Sequence, residues 1–159
     1  MKKKTITAIG HVVSKNLISI SVGATVSVAK NLMNEKRIRH LPVIDDKNEI
    51  VGVVTSRNLA NAESIQQFPV DLFMISPVEF INQKESLRAS ILKMLEMKIS
   101  CLLVVDDKDE VVGIVTTDDI LWHLAHLLRE ESDESRHFIT AMGLQIIGDI
   151  ANKLSIMGI

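Results

Sequence analysis

Apolar and polar positions along the chain fall into a block that occurs twice. Residues Val43–Thr55 read VIDDKNEIVGVVT and residues Val104–Thr116 read VVDDKDEVVGIVT. Each block is an apolar run, an acidic polar run and a second apolar run ending in Thr, the pattern of two short buried strands joined by a polar turn. The offset is constant, since 104 − 43 and 116 − 55 both equal 61, and 9 of the 13 aligned positions are identical. The other four are Ile/Val or Asn/Asp exchanges. Unrelated segments would agree at roughly one position, so the chain carries an internal duplication.

The second copy predicts its elements most clearly. Asp71–Ile75 reads as a helical turn that Pro77 breaks before a short strand at Val78–Ile81. Ser86 can cap a helix whose apolar positions Leu87, Ile91, Met94 and Leu95 keep the helical period. Cys101–Val105 is a short buried strand, Asp106–Glu110 a polar turn, and Val111–Val115 a returning strand. Thr116, Thr117, Asp118 and Asp119 then open a helix, Ile120–Arg129, with residue types suited to capping and to its positive dipole end. Subtracting 61 recovers the first copy: a strand at Leu17–Ile20, a helix capped by Thr25, strands at His40–Ile44 and Ile50–Val54, and a helix start at Ser56. Asn61–Pro69 is a polar joint between copies.

The expected fold class is therefore α/β (α+β), two β-α-β-β-α repeats about a pseudo-twofold axis. Residues 5–61 form the first repeat, 62–70 a linker, 71–129 the second repeat and 130–159 a C-terminal extension. Neither repeat buries its sheet well alone, so face-to-face packing of the pair is expected. In the extension Ile139, Met142, Ile146, Ile150, Leu154 and Met157 recur at helical spacing. Gly143 and Gly148 weaken such a helix by ~1 kcal/mol each against Ala, so packing has to hold it. Its polar face lacks the Lys/Arg band of a membrane-surface helix.

Composition narrows the function classes. In 159 residues 47% are hydrophobic, enough for a core and for an apolar face toward another subunit. The apolar runs are far shorter than the ~20 residues a membrane-spanning helix needs. Lys2, Lys3 and Lys4 look like the start of a signal peptide, but no apolar stretch follows, so a solvated N-terminus is expected. A single cysteine suits a reducing cytoplasm, the expected location. Net charge is −2 and aromatics are 3%, with one Trp and no Tyr, which argues against nucleic acid as a partner.

The doubled pattern has Arg39-His40-Leu41-Pro42-Val43-Ile44-Asp45, a turn and Gly52-Val53-Val54-Thr55 in one copy. The other has Leu102-Leu103-Val104-Val105-Asp106, a turn and Gly113-Ile114-Val115-Thr116-Thr117-Asp118-Asp119. Together they resemble a pair of CBS (cystathionine-β-synthase) domains. Asp71–Val78 is similar to the lead-in of the second member, and the resemblance covers roughly residues 5–128. It implies a regulatory module that binds an adenosine-containing ligand (AMP, ADP, ATP or S-adenosylmethionine) between the copies, with no obligatory cofactor. It further implies a disc-like homodimer and an output to an unidentified partner protein in trans, for which the face of residues 136–157 is the candidate contact. The competing expectation is a ligand-free dimerisation module.

Candidate site residues follow. Gly113 lets a ligand approach the strand backbone. Thr116 ends that strand, and Asp119, three residues on, can accept hydrogen bonds from both ribose hydroxyls. Free N–H groups at the helix start favour an anion. Asp118 lies beside this turn. The same residue types serve plain helix capping, and both roles stand open. By the resemblance, Val13, Asn16, Ile18, Ile38 and His40 line the adenine slot; Arg37, Arg39 and His40 either meet phosphate, as basic residues there do in the family, or form a solvated basic rim, and both readings stand open. A second, weaker site would use Thr55 and Asn58, with Glu79, Ile99 and Cys101 from the other copy. Asn58 stands where the family pattern has Asp, and an amide cannot accept two hydroxyl protons as a carboxylate does.

Other features have plainer expectations. Asp45-Asp46 and Asp106-Asp107 belong to hairpin turns, where Asp bonds the local backbone. His123 and His126 are three apart on a helix without a third metal ligand placed, Cys101 is a core thiol, and Trp122 packs a helix face. No nucleophile–base or metal constellation assembles, so an enzyme is not expected.

Overall fold

The computed structural model describes residues 7–60 and 65–129. Its elements repeat with the same offset of 61 as the sequence. In the first repeat β1 is Ile20–Ser21, α1 is Val26–Lys36, β2 is His40–Ile44 and β3 is Ile50–Thr55. In the second, β4 is Phe80–Asn82, α2 is Leu87–Met97, β5 is Cys101–Val105, β6 is Val111–Thr116 and α3 is Thr117–Arg129. The helices begin where a side chain can take an orphan N–H. Thr25 Oγ1 accepts from Val28 N–H at 3.4 Å, and Ser86 Oγ from Ala89 N–H at 3.1 Å. Both end on a left-handed residue, Arg37 at φ 53° and Lys98 at φ 55°, which turns the chain into the next strand.

Each repeat forms its own three-stranded sheet, β1-β2-β3 and β4-β5-β6. The first pair of each is parallel and the second antiparallel. The hairpins are tied by aspartates, as expected. Asp45 Oδ1 accepts from Lys47 and Glu49 N–H at 2.9 Å each, and Asp106 Oδ1 from Lys108 and Glu110 N–H at 2.8 and 3.1 Å.

The lead-in segments are crossed between the two repeats. Ile9, on a single 3-10 turn at Ile9–His11, is fully buried in the core of the second repeat with Ile81, Met94, Leu102, Val104, Val115 and Ile120. Val70, 61 residues later on the turn Val70–Phe73, is fully buried in the core of the first. Backbone bonds fix the exchange. Ile9 N–H bonds Glu85 O at 2.7 Å and Leu87 N–H bonds Thr7 O at 2.9 Å; on the other side Val70 N–H bonds Ala24 O at 2.7 Å. Neither core is complete without the other repeat's lead-in, which makes the pair one folding unit.

Three sequence expectations shift. The strands expected at Leu17–Ile20 and Val78–Ile81 lie slightly later, because parallel pairing starts only where Ile20 meets Val43 and Phe80 meets Leu103. No helix forms over Ser56–Ala60, which is a run of turns. Leu59 is buried in the first core, and Ile65 packs against the same core. The extension over residues 130–159 lies outside the described residues.

Candidate ligand-binding cleft

At the C-terminal ends of β3 and β6 the chain makes the same reciprocal cap twice. Thr116 N–H and Oγ1 both donate to Asp119 Oδ2, at 2.8 and 2.6 Å, and Asp119 N–H returns to Thr116 Oγ1 at 3.3 Å. This is a capping box with Thr at the N-cap of α3 and Asp three residues on. Thr55 N–H and Oγ1 donate to Asn58 Oδ1 at 2.9 and 2.6 Å, with Asn58 N–H back to Thr55 Oγ1 at 3.2 Å. Capping, one of the two open roles, is therefore built into both turns. It uses one carboxylate oxygen of Asp119 and both acceptor positions of the Asn58 carbonyl, which leaves the Asn58 amide nitrogen for other contacts.

A cavity of about 280 Å³ opens between the repeats on the Asn58 side. All five residues of the second candidate site line it: Thr55 and Asn58 from the first repeat, Glu79, Ile99 and Cys101 from the second. Arg39, His40 and Thr117 stand along its wall as well. The size is at the small end of pockets that hold organic ligands, ~300 Å³. Ile75, Pro77 and Val78, which the sequence reasoning missed, add an apolar wall. The offset could have found one of them, since Asn16 + 61 is Pro77.

The remaining candidates sit elsewhere. Ile18 and Ile38 pack on the first core and Val13 on the second, while Asn16 is exposed. Gly113 is buried, and a Cβ there would stand 2.5 Å from the carbonyl oxygen of Ser14. The close neighbour that needs the missing side chain is thus the crossed lead-in. Asp118 forms an ion pair with Arg39 across the repeats, both more than half exposed. Asp119 Oδ1 accepts from Ser14 Oγ at 3.1 Å.

Charge along the open cleft is mixed. Arg39, Arg57 and Lys98 line it, and its carboxylate, Glu79, is held by Lys93 at 2.9 Å. His40 Nε2 meets Ser100 Oγ at 2.7 Å, joining the repeats at the cleft wall. Burial, and next the Arg39 guanidinium, lower the His40 pKa below its ordinary value, against an upward pull from Asp118 and Asp119. The ring is accordingly neutral at pH 7. Burial pushes the Cys101 thiol up to about 12, so it lines the cleft as an unreactive thiol. His126 stacks on Trp122 with ring centroids 5.9 Å apart, and Trp122 itself is 70% exposed rather than packed.

Comparison with known proteins brings in the same architecture. The family model of the CBS domain matches residues 9–65 and again residues 70–126. The CBS domain pair of protein MJ0100, solved in complex with 5′-methylthioadenosine and S-adenosyl-L-methionine, is 30% identical with a TM-score of 0.69, covering 76% of this chain and 98% of that one. A homoserine O-acetyltransferase of Methanococcus vannielii is 32% identical over 69% of this chain. An L-aspartate semialdehyde sulfurtransferase of Methanocaldococcus jannaschii is 31% identical over 74%. The chain spans 23% of the length of each of these two relatives. Among the described residues no helix is long and apolar enough to cross a membrane.

Proposed function

The chain belongs to the CBS domain family, carrying two copies, and from that premise we propose that it is a regulatory module whose ligand is an adenosine-containing molecule bound between the repeats. One observation carries the reading: the open cavity has walls from both repeats, so an occupant would stabilise one relative placement of the two. A ligand shifts a conformational equilibrium only by its preference for one state, and a cleft between two packed units supplies that preference. The neighbouring MJ0100 pair, solved with two adenosine compounds, supports the choice of ligand class.

In this reading the purine lies against Ile75, Val78 and Ile99, and the sugar reaches the Thr55–Asn58 turn. The cations at Arg39, Arg57 and Lys98 face the more polar end, where a phosphate or carboxylate fits. Sequence chemistry alone ranks the Asp119 turn first, since a carboxylate is the better diol acceptor. We place the first ligand instead at the Asn58 turn, because a cavity opens there and the Asp119 carboxylate is already engaged on both oxygens. The module performs no chemistry of its own. It acts as a homodimer in the cytoplasm and passes its state to a partner protein.

A ligand-free dimerisation module is the competing reading, favoured by the Ser14–Asp119 bond, which satisfies that turn without a ligand. Thermal shift with AMP, ADP, ATP, 5′-methylthioadenosine and S-adenosylmethionine separates the two. A ligand at 100 times its Kd stabilises by ~2.7 kcal/mol. Absence of any shift at millimolar concentrations of all five sinks the sensor reading.

A further inference from the structure

The two turns between the repeats make the same backbone bridges, and Ser14 against Ile75 and Asp119 against Asn58 are among the side chains in which they differ. Ser14 bridges β6, with Ser14 N–H to Ile114 O at 2.9 Å and Ile114 N–H to Ser14 O at 3.1 Å. Ile75 bridges β3 in the same way, at 2.8 and 3.1 Å. Ser14 and Ile75 are 61 residues apart, as are Asn58 and Asp119. One cleft therefore pairs Ser with Asp and the other pairs Ile with Asn.

The exchange changes what each cleft can accept. Ser14 Oγ donates to Asp119 Oδ1 at 3.1 Å, while the cap occupies Oδ2 twice. A carboxylate has about four lone-pair positions, and three are filled by the chain itself. The Ser14 hydroxyl holds the carboxylate oxygen that the cap leaves free. Ile75 has nothing to donate, and its side chain, 47% exposed, forms a wall of the open cavity.

We propose that Ser14 is an internal competitor for Asp119, so that each chain takes one ligand, in the Asn58 cleft, and the Asp119 cleft stays stoppered. The inference rests on the adenosine-ligand reading above and adds its stoichiometry and the residue that sets it. Hydrogen bonds to a charged group are the stronger kind, and displacing one costs the second site about tenfold or more in affinity.

Isothermal titration of the intact chain with AMP and with 5′-methylthioadenosine tests it. Wild type is expected to take one ligand per chain with the probe that binds. Ser14→Ala is expected to take two, Ser14→Thr, which keeps the hydroxyl, one, and Ser14→Ala with Asp119→Ala one. Transplanting the stopper with Ile75→Ser and Asn58→Asp should weaken the first site by about tenfold. Since Ser14 and Ile75 are both exposed, circular dichroism should find these variants folded, and the transplant decides the matter if Ser14→Ala is not. Two equal sites in wild type, a single site in folded Ser14→Ala, or undiminished binding in the transplant overturns the proposal while leaving the ligand reading standing. No heat from either probe with wild type or Ser14→Ala overturns the ligand reading, and the proposal falls with it.

Discussion

Replacing Ile9 with Ala tests the crossed lead-ins, because Ile9 precedes every strand and helix of its own repeat yet is fully buried in the core of the other. The substitution removes three carbons, worth about 0.8 kcal/mol each or roughly 2.4 kcal/mol in transfer energy. The void would open in a core shared with Met94, Leu102 and Val104, on a helix and a strand that backbone bonds hold in place, so little of it can collapse. Adding that cavity term gives about 3–4 kcal/mol, within the range of about 2–5 kcal/mol for such truncations. For a chain of this length each kcal/mol shifts Tm by roughly 2–4 °C, and the expected fall is roughly 6–16 °C. Urea unfolding followed by circular dichroism measures the loss of stability, and thermal melts followed by the same signal measure the fall in Tm. Leu72→Ala, at a 63% exposed position on the other lead-in, is the control and should change stability by less than about 0.5 kcal/mol. If Ile9→Ala costs less than about 1 kcal/mol, the segment is a loose tail and the crossed arrangement is wrong.

Three further outcomes follow from the same geometry. Gly113→Ala should destabilise by about 1–3 kcal/mol, since its Cβ meets the Ser14 carbonyl, whereas Gly52→Ala should cost less because the obstacle is the flexible Met74 side chain; equal losses in denaturant titrations would refute the distinction. His40 is depressed in the folded state, so below its ordinary pKa near 6.5 the unfolded chain binds the proton first. Stability should then fall as pH drops through that value toward the folded pKa, and His40→Gln should flatten that part of a pH series of unfolding curves. The Cys101 thiol, raised to about 12, should react with iodoacetamide at pH 8 far more slowly in the native protein than in urea, and equal rates would refute its burial.

Both sheets and both capped helices are legible from the offset of 61, because a backbone that must pair its N–H and C=O groups leaves few arrangements for an apolar–polar–apolar block. The crossing of Ile9 and Val70 is not legible. Periodicity tells which face of a segment is apolar, and an apolar Ile at position 9 reads the same whichever core covers it. The helix expected after β3 is replaced by turns over Ser56–Ala60 although Thr55–Asn58 makes the cap, so the capping signal alone does not carry a helix. The candidate residues divide along the same line. Thr55, Asn58, Glu79, Ile99 and Cys101 come from symmetry and converge on one cavity, whereas the ranking of the two turns came from comparing a carboxylate with an amide in isolation. The contact behind our proposed reversal of that ranking is tertiary: a serine 105 residues away in sequence holds Asp119. A duplicated fold can let such positions diverge at little cost, because the bridges at Ser14 and Ile75 are made by backbone and survive any side chain there. Gly113 has no such freedom, as the Ser14 carbonyl passes directly over it, whereas Gly52 faces the Met74 side chain. Ile9 with Val70 and Thr25 with Ser86 break identity under the offset and keep one role each in the fold, whereas Ser14 with Ile75 and Asn58 with Asp119 break it in ways that give the two turns different hydrogen-bonding groups.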